Sequence, residues 1–280
     1  MRCALLFALI ALVGCTPSMA AESTRADSAP GPSPVSSDAS GAIANSPDAS
    51  SPTRDSGRSA WCLEGFSAFD DDACYLIPPA GIRQPKALLI YLHGVIAPGG
   101  DTQRIVQGIV ARHAQARGYV ALMPKGRRGI GPAPVQDWYS WPTTAENHRR
   151  YAAQMVESWR DKKRQLEAMT GGAFDKTYLA GSSNGAFFAT ILALNGEFAA
   201  DGFGAMSGGS RAGRSKAGIR TSQRPPFYVG YGIHDDLKPH PISLGELLAE
   251  AGWPHRVSAH NTGHGAREVY LDEAFTFWGN

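Results

Sequence analysis

Three observations predict an α/β fold, a mostly parallel sheet with helices on both faces. Continuous apolar runs such as Ala87–Leu92 and Tyr119–Met123 have the length and character of strands covered on both sides. Segments of helical length alternate with these runs, as crossovers between parallel strands do. The side chains best suited to chemistry, His93, Ser183, Asp235 and His264, each follow a strand at its carboxyl end. That is where open α/β sheets bind their ligands.

The chain opens with Arg2 and an apolar run, Ala4 to Val13, too short to cross a bilayer as a stable helix. A positive residue before it and small residues after it predict a secretory signal. Leu12-Val13-Gly14-Cys15 resembles the bacterial lipobox, so residues 1–14 are expected to be removed and Cys15 to carry lipid. The resulting acyl chains would anchor the protein stably to a membrane. Cleavage after Ser18-Met19-Ala20 is the competing reading and gives a secreted protein. Either way the chain is exported, and the first reading makes it a lipoprotein of a bacterial envelope or surface.

Residues 15–58 are rich in Ser, Pro, Ala, Asp and Gly and poor in large apolar residues. Such a segment cannot bury enough apolar area to offset its ordering entropy, and it reads as a disordered tether. Residues 59–280 form the expected single domain. Cys62 and Cys74 are the two cysteines left beyond the signal, and an oxidising compartment predicts a disulfide between them, with two buried thiols as the alternative. A net charge of +2 with no basic arm argues against nucleic acid as a partner.

Within the domain, Cys74–Ile77 reads as a first strand stopped by Pro78-Pro79. Ala87–Leu92 leads into His93-Gly94-Val95 and a Gly-rich loop. Asp101 or Thr102 opens a helix to about Arg117, which Gly118 stops before the strand Tyr119–Met123. Lys125–Thr144 is a long loop rich in Gly, Pro and aromatic residues at a strand's carboxyl end, where long loops are commonly functional. A helix from about Ala145 to Met169 follows, its cluster Arg160, Lys162, Lys163 and Arg164 read as a solvated face. Later strands are Thr177–Ala180, Gly202–Met206, Pro226–Tyr231 and His255–His260. Later helices are Ala186–Leu194, Ser243–Ala251 and Glu268–Trp278, the second with Ser243 and Glu246 at capping-box spacing.

Gly181-Ser182-Ser183-Asn184-Gly185 joins a strand to a helix as G-x-S-x-G, the context of a nucleophile elbow with Ser183 in register. The serine hydroxyl is exposed on a tight turn, and the N–H of the next residue points at the same space. Ser183, Asp235 and His264 occur in the chain order of the α/β-hydrolase family, which the sequence resembles from about Ala87 to its end. Leu92-His93-Gly94-Val95, the elbow, Gly232-Ile233-His234-Asp235 with Pro239, and Gly263-His264 are similar to secreted esterases related to polyhydroxybutyrate depolymerases and feruloyl esterases. Gly265-Ala266 departs from the aromatic that often follows the histidine in those enzymes, and no polymer-binding module is present, so the substrate does not carry over.

The resemblance implies Ser183 as nucleophile, His264 as base and Asp235 as its orienting carboxylate, with Asp236 the runner-up. It also implies an oxyanion hole from the N–H groups of Val95 and Asn184, and a structural His93. Trp138, Tyr139 and Trp141 either wall a substrate pocket or pack beneath their loop. Neither H-E-x-x-H nor another close ligand pair supports a metal, and no cofactor is expected. The expected activity is cleavage of a small or polymeric carboxylic ester through an acyl-enzyme. A peptidase or amidase on the same fold and a non-catalytic, surface-anchored binding protein are the alternatives.

Overall fold

The computed structural model describes residues 61–79, 86–210 and 216–279. The predicted signal, the predicted lipidation site Cys15 and the predicted tether lie outside the described residues.

Among the described residues, eight strands form one sheet: β1 (Ser67–Phe69), β2 (Ala73–Leu76), β3 (Ala87–Leu92), β4 (Val120–Pro124), β5 (Lys176–Ser182), β6 (Gly202–Met206), β7 (Phe227–Gly232) and β8 (His255–His260). Their order is β1-β2-β4-β3-β5-β6-β7-β8. β2 pairs antiparallel with both β1 and β4, and every pairing from β4 through β8 is parallel. The α-helices among the described residues are α1 (Thr102–Arg117), α2 (Ala145–Thr170), α3 (Asn184–Asn195), α4 (Pro239–Glu250) and α5 (Glu268–Trp278).

Strand periodicity divides the core into two layers. On β3, Leu88, Ile90 and Leu92 face the layer built with α2, α3 and α4, while Ala87, Leu89 and Tyr91 face the layer built with α1 and α5. On β4, Val120 and Leu122 join the first layer and Ala121 and Met123 the second. A residue period of two thus places both faces of each central strand against helices, and this is why those strands read as unbroken apolar runs.

Helix ends follow local chemistry. Gly118, Gly171 and Gly196 end α1, α2 and α3 with positive φ, the backbone region where a side chain is costly. Thr144 caps α2 by accepting from Asn147 N–H at 3.2 Å. Asp101 precedes α1 without a side-chain cap.

Three expectations change. Lys162, read as part of a solvated face, is buried on α2 and pairs with Asp72 Oδ1 at 3.0 Å. α4 starts at Pro239, so Ser243 lies inside the helix and does not cap it. Proline fits this first turn because its missing N–H would have had no helical partner there. β1 was not expected: it has only three residues and no apolar alternation to announce it. It lies within the loop closed by the Cys62–Cys74 disulfide and pairs with β2, the strand that carries Cys74.

Candidate active site

The elbow lies between β5 and α3. Ser183 sits at φ 52°, ψ −121°, a conformation that costs a non-glycine residue free energy. Neighbouring backbone holds it: Ser183 N–H donates to Met206 O at 2.9 Å, and Ser183 O accepts from Phe187 N–H at 3.1 Å. The flanking glycines are required by close approach. A Cβ on Gly185 would lie 2.3 Å from Leu92 O, and one on Gly181 would lie 2.6 Å from Gly185 C.

The loop after β3 crosses this turn. A Cβ on Gly94 would stand 3.1 Å from Ser183 Cβ. Ile96 and Tyr139 exchange backbone hydrogen bonds of 3.0 and 2.9 Å, tying that loop to the long one after β4. Val95 N–H donates to no backbone carbonyl among the described residues. Asn184 is the first residue of α3, so its N–H has no acceptor within the helix. Both N–H groups proposed for an oxyanion hole therefore remain available.

His93 is buried, and burial holds its pKa down to about 4; the neighbouring Lys125 charge acts in the same direction and the Gly94 carbonyl against it. It is neutral near pH 7. Nδ1 donates to Gly94 O, and Nε2 accepts from Gly126 N–H at 2.9 Å. His93 thus clamps the loop after β3 to the loop after β4.

The ends of β7 and β8 supply the remaining pair. His264 Nδ1 and Asp235 Oδ2 are 2.9 Å apart, and Asp235 Oδ1 accepts from Leu237 N–H at 2.8 Å. The Asp235 side chain is 1% exposed and that of His264 42%. Asp236 is exposed, so the geometry pairs His264 with Asp235 and not with the runner-up. Ser183 and His264 share no hydrogen bond among the described residues.

Ser207 is a contributor that sequence reasoning missed. It lies after β6 with φ 50° and is fully buried. Its Oγ donates to Gly265 O at 3.1 Å and accepts from Gly265 N–H at 3.2 Å, fixing the backbone beside His264. A partner 58 residues away leaves no local signal in the sequence.

The loop aromatics divide. Trp141 is 0% exposed, so it walls no open pocket. Its backbone N–H donates to Asn184 Oδ1 at 2.6 Å and its indole N–H to His93 O at 2.7 Å. Trp138 and Tyr139 are half-buried. Tyr139 packs edge-on against Trp61 at 4.9 Å, with Lys125 Nζ 4.9 Å from both rings. Trp61, also missed, meets His93 edge-on at 5.7 Å. The disulfide between Cys62 and Cys74, as expected, holds the start of this segment.

Searches of family models and of curated proteins find no match to this chain. Solved structures do match. Esterase PE8 is 20% identical, with a TM-score of 0.53 over 72% of this chain and 95% of its own. Acyl-protein thioesterase 2 of Zea mays is 18% identical, with a TM-score of 0.53 over 74% and 99%. YahD, solved with malic acid, is 19% identical, with a TM-score of 0.51 over 72% and 98%. At these identities the likeness concerns the fold. The chain has the α/β-hydrolase fold.

Proposed function

We propose that the chain is a serine hydrolase that cleaves carboxylic esters with Ser183, His264 and Asp235. The observation that carries this reading is the 2.9 Å His264–Asp235 contact, which lies, like the serine in its strained strand-to-helix turn, beyond the carboxyl ends of the parallel strands. Fold alone does not fix an activity, so the weight rests on these residues. The esterase and thioesterase names among the structural neighbours agree with it.

In this reading His264 Nε2 removes the Ser183 proton as Oγ attacks the ester carbonyl. Asp235 holds Nδ1–H and stabilises the imidazolium that forms. The carbonyl oxygen becomes an oxyanion and accepts from Val95 and Asn184 N–H. Each such donor is worth about 10²–10³ in rate. Collapse of the intermediate expels the alcohol, which takes its proton from His264. Water activated by the same imidazole then hydrolyses the acyl-enzyme. The resemblance to polyhydroxybutyrate depolymerase-like and feruloyl esterase-like enzymes further supports a carboxylic ester as the substrate. An N-terminal lipid at Cys15 would hold the enzyme at a membrane.

Turnover of a panel of p-nitrophenyl esters by the protein and by Ser183→Ala tests the reading. Turnover lost in the variant is expected. Equal turnover by both, or none by a folded wild type across the panel, counts against it.

A further inference from the structure

We propose that the cleft between α2 and α3 receives the acyl part of the ester, and that this part ends in an anionic group, a carboxylate, met by Arg220 and Arg149. The proposal rests on Ser183 being the nucleophile.

The cleft has a volume of about 1150 Å³, ample for an organic ligand. Its near end adjoins the elbow. Thr143, on its wall, accepts from Asn184 Nδ2 at 3.4 Å, and Phe187 on its other wall bonds through N–H to Ser183 O at 3.1 Å. Gly209 lines it too, and a Cβ on the preceding Gly208 would come within 2.6 Å of Ser183 O. From Phe187 to Asn195 the α3 wall extends about 12 Å at the rise of an α-helix.

The orientation follows from the mechanism. The leaving alcohol must face His264 to collect its proton. No residue of the loop carrying His264 lines the cleft. The portion entering the cleft is therefore the acyl group.

The middle of the cleft is apolar, with Phe187 and Ile191 on α3 facing Ala152 and Val156 on α2. Charge is unevenly matched around this strip. Glu197 is engaged by His148 Nε2 at 2.7 Å and by Asn195 Nδ2 at 2.9 Å. Glu157 is engaged by Arg160 at 3.3 Å and Arg164 at 3.8 Å. Arg149 and Arg220 also line the cleft, and neither makes an ion pair among the described residues. Arg220 is held at the far end by its own N–H, which donates to Leu194 O at 2.8 Å. An elongated acyl chain lying on the apolar strip would bring a terminal carboxylate towards Arg220. Low-dielectric walls focus such a charge towards the ligand.

The test compares p-nitrophenyl octanoate with the p-nitrophenyl monoester of suberic acid, which has the same acyl length and a terminal carboxylate. Full-chain wild type, Arg220→Glu and Arg220→Lys are assayed, with far-UV circular dichroism to verify folding. Wild type is expected to favour the carboxylated ester in kcat/KM by about fivefold or more, the size of one good partly solvated ion pair, expressed through KM. Arg220→Glu should bring the ratio to one or below, and Arg220→Lys should keep part of the preference. A ratio near one in wild type, unchanged in Arg220→Glu, overturns the inference and leaves the hydrolase reading standing. If neither ester turns over, the ester panel above decides the hydrolase reading, and calorimetric titration with suberate decides the cleft. Binding weakened by Arg220→Glu then supports the anion site; no binding, or binding unaffected by the change, overturns it.

Discussion

Trp141 N–H donates to Asn184 Oδ1 at 2.6 Å, joining the long loop after β4 to the residue that follows Ser183. The Asn184 side chain thereby serves the scaffold, while its backbone N–H, at the first position of α3, has no acceptor within the helix. Asn184→Ala should leave the buried Trp141 N–H without its acceptor and cost about 1–3 kcal/mol of stability. It keeps the backbone donor, so kcat should fall far less than in Ser183→Ala. Urea unfolding and kcat measured on one preparation separate the two effects.

Asp235 and Asp236 are adjacent, yet only Asp235 is buried against His264. Asp235→Asn should lower kcat by about 10⁴-fold through loss of the imidazole's orientation and tautomer. Asp236→Asn should change kcat little. Similar losses in both variants would mean that the acidic group is shared.

His93 gives stability a pH dependence of definite sign. Burial holds its pKa near 4, below the ordinary 6.5. As pH falls, the unfolded chain takes up this proton first, so stability is full above the unfolded value and declines on the way down to the folded one. The contribution lost between about pH 7 and pH 4 is on the order of 3 kcal/mol. His113 shifts in the same direction, again chiefly through burial, and adds to the decline. Urea midpoints across this range check the trend, and an NMR titration reads His93 itself. Protonation of His93 near 6.5 in the folded protein would contradict the account.

The Cys62–Cys74 bridge closes a short loop next to Trp61, whose ring rests on His93 and Tyr139. Gln107 also secures this loop, accepting from Leu63 N–H at 2.6 Å and donating to Trp61 O at 3.3 Å. The double variant Cys62→Ser, Cys74→Ser should lose roughly 2–4 kcal/mol of stability by the loop-closure relation. A fall in melting temperature is the expected result, and an unchanged midpoint would show that packing by Trp61 and Gln107 suffices.

Much of this fold was legible because its central strands are apolar runs, and most strands have Gly or Pro near their ends. Ala87–Leu92, Gly202–Met206 and His255–His260 begin and end where the sequence places them. The prolines of α4 concealed its first turn, since Pro239 and Pro241 look like breakers unless the helix start is already known. Ser183, Asp235 and His264 stood out as candidates because each follows a strand within a recognisable local pattern. Ser207 and Trp61 were not, because each acts on a residue distant in the chain, Gly265 for one and His93 for the other. Trp141 was visible as an aromatic in a functional loop, but only its full burial shows that it braces the turn and does not line a pocket.

The most direct measurement is the mass of the peptide containing residues 182 and 183 after treatment of the folded protein with a fluorophosphonate. The account predicts one covalent adduct, assigned by fragmentation to Ser183 and not Ser182, with none formed in Ser183→Ala. Absence of an adduct from the folded wild type, or an adduct that persists in Ser183→Ala, would contradict Ser183 as the nucleophile.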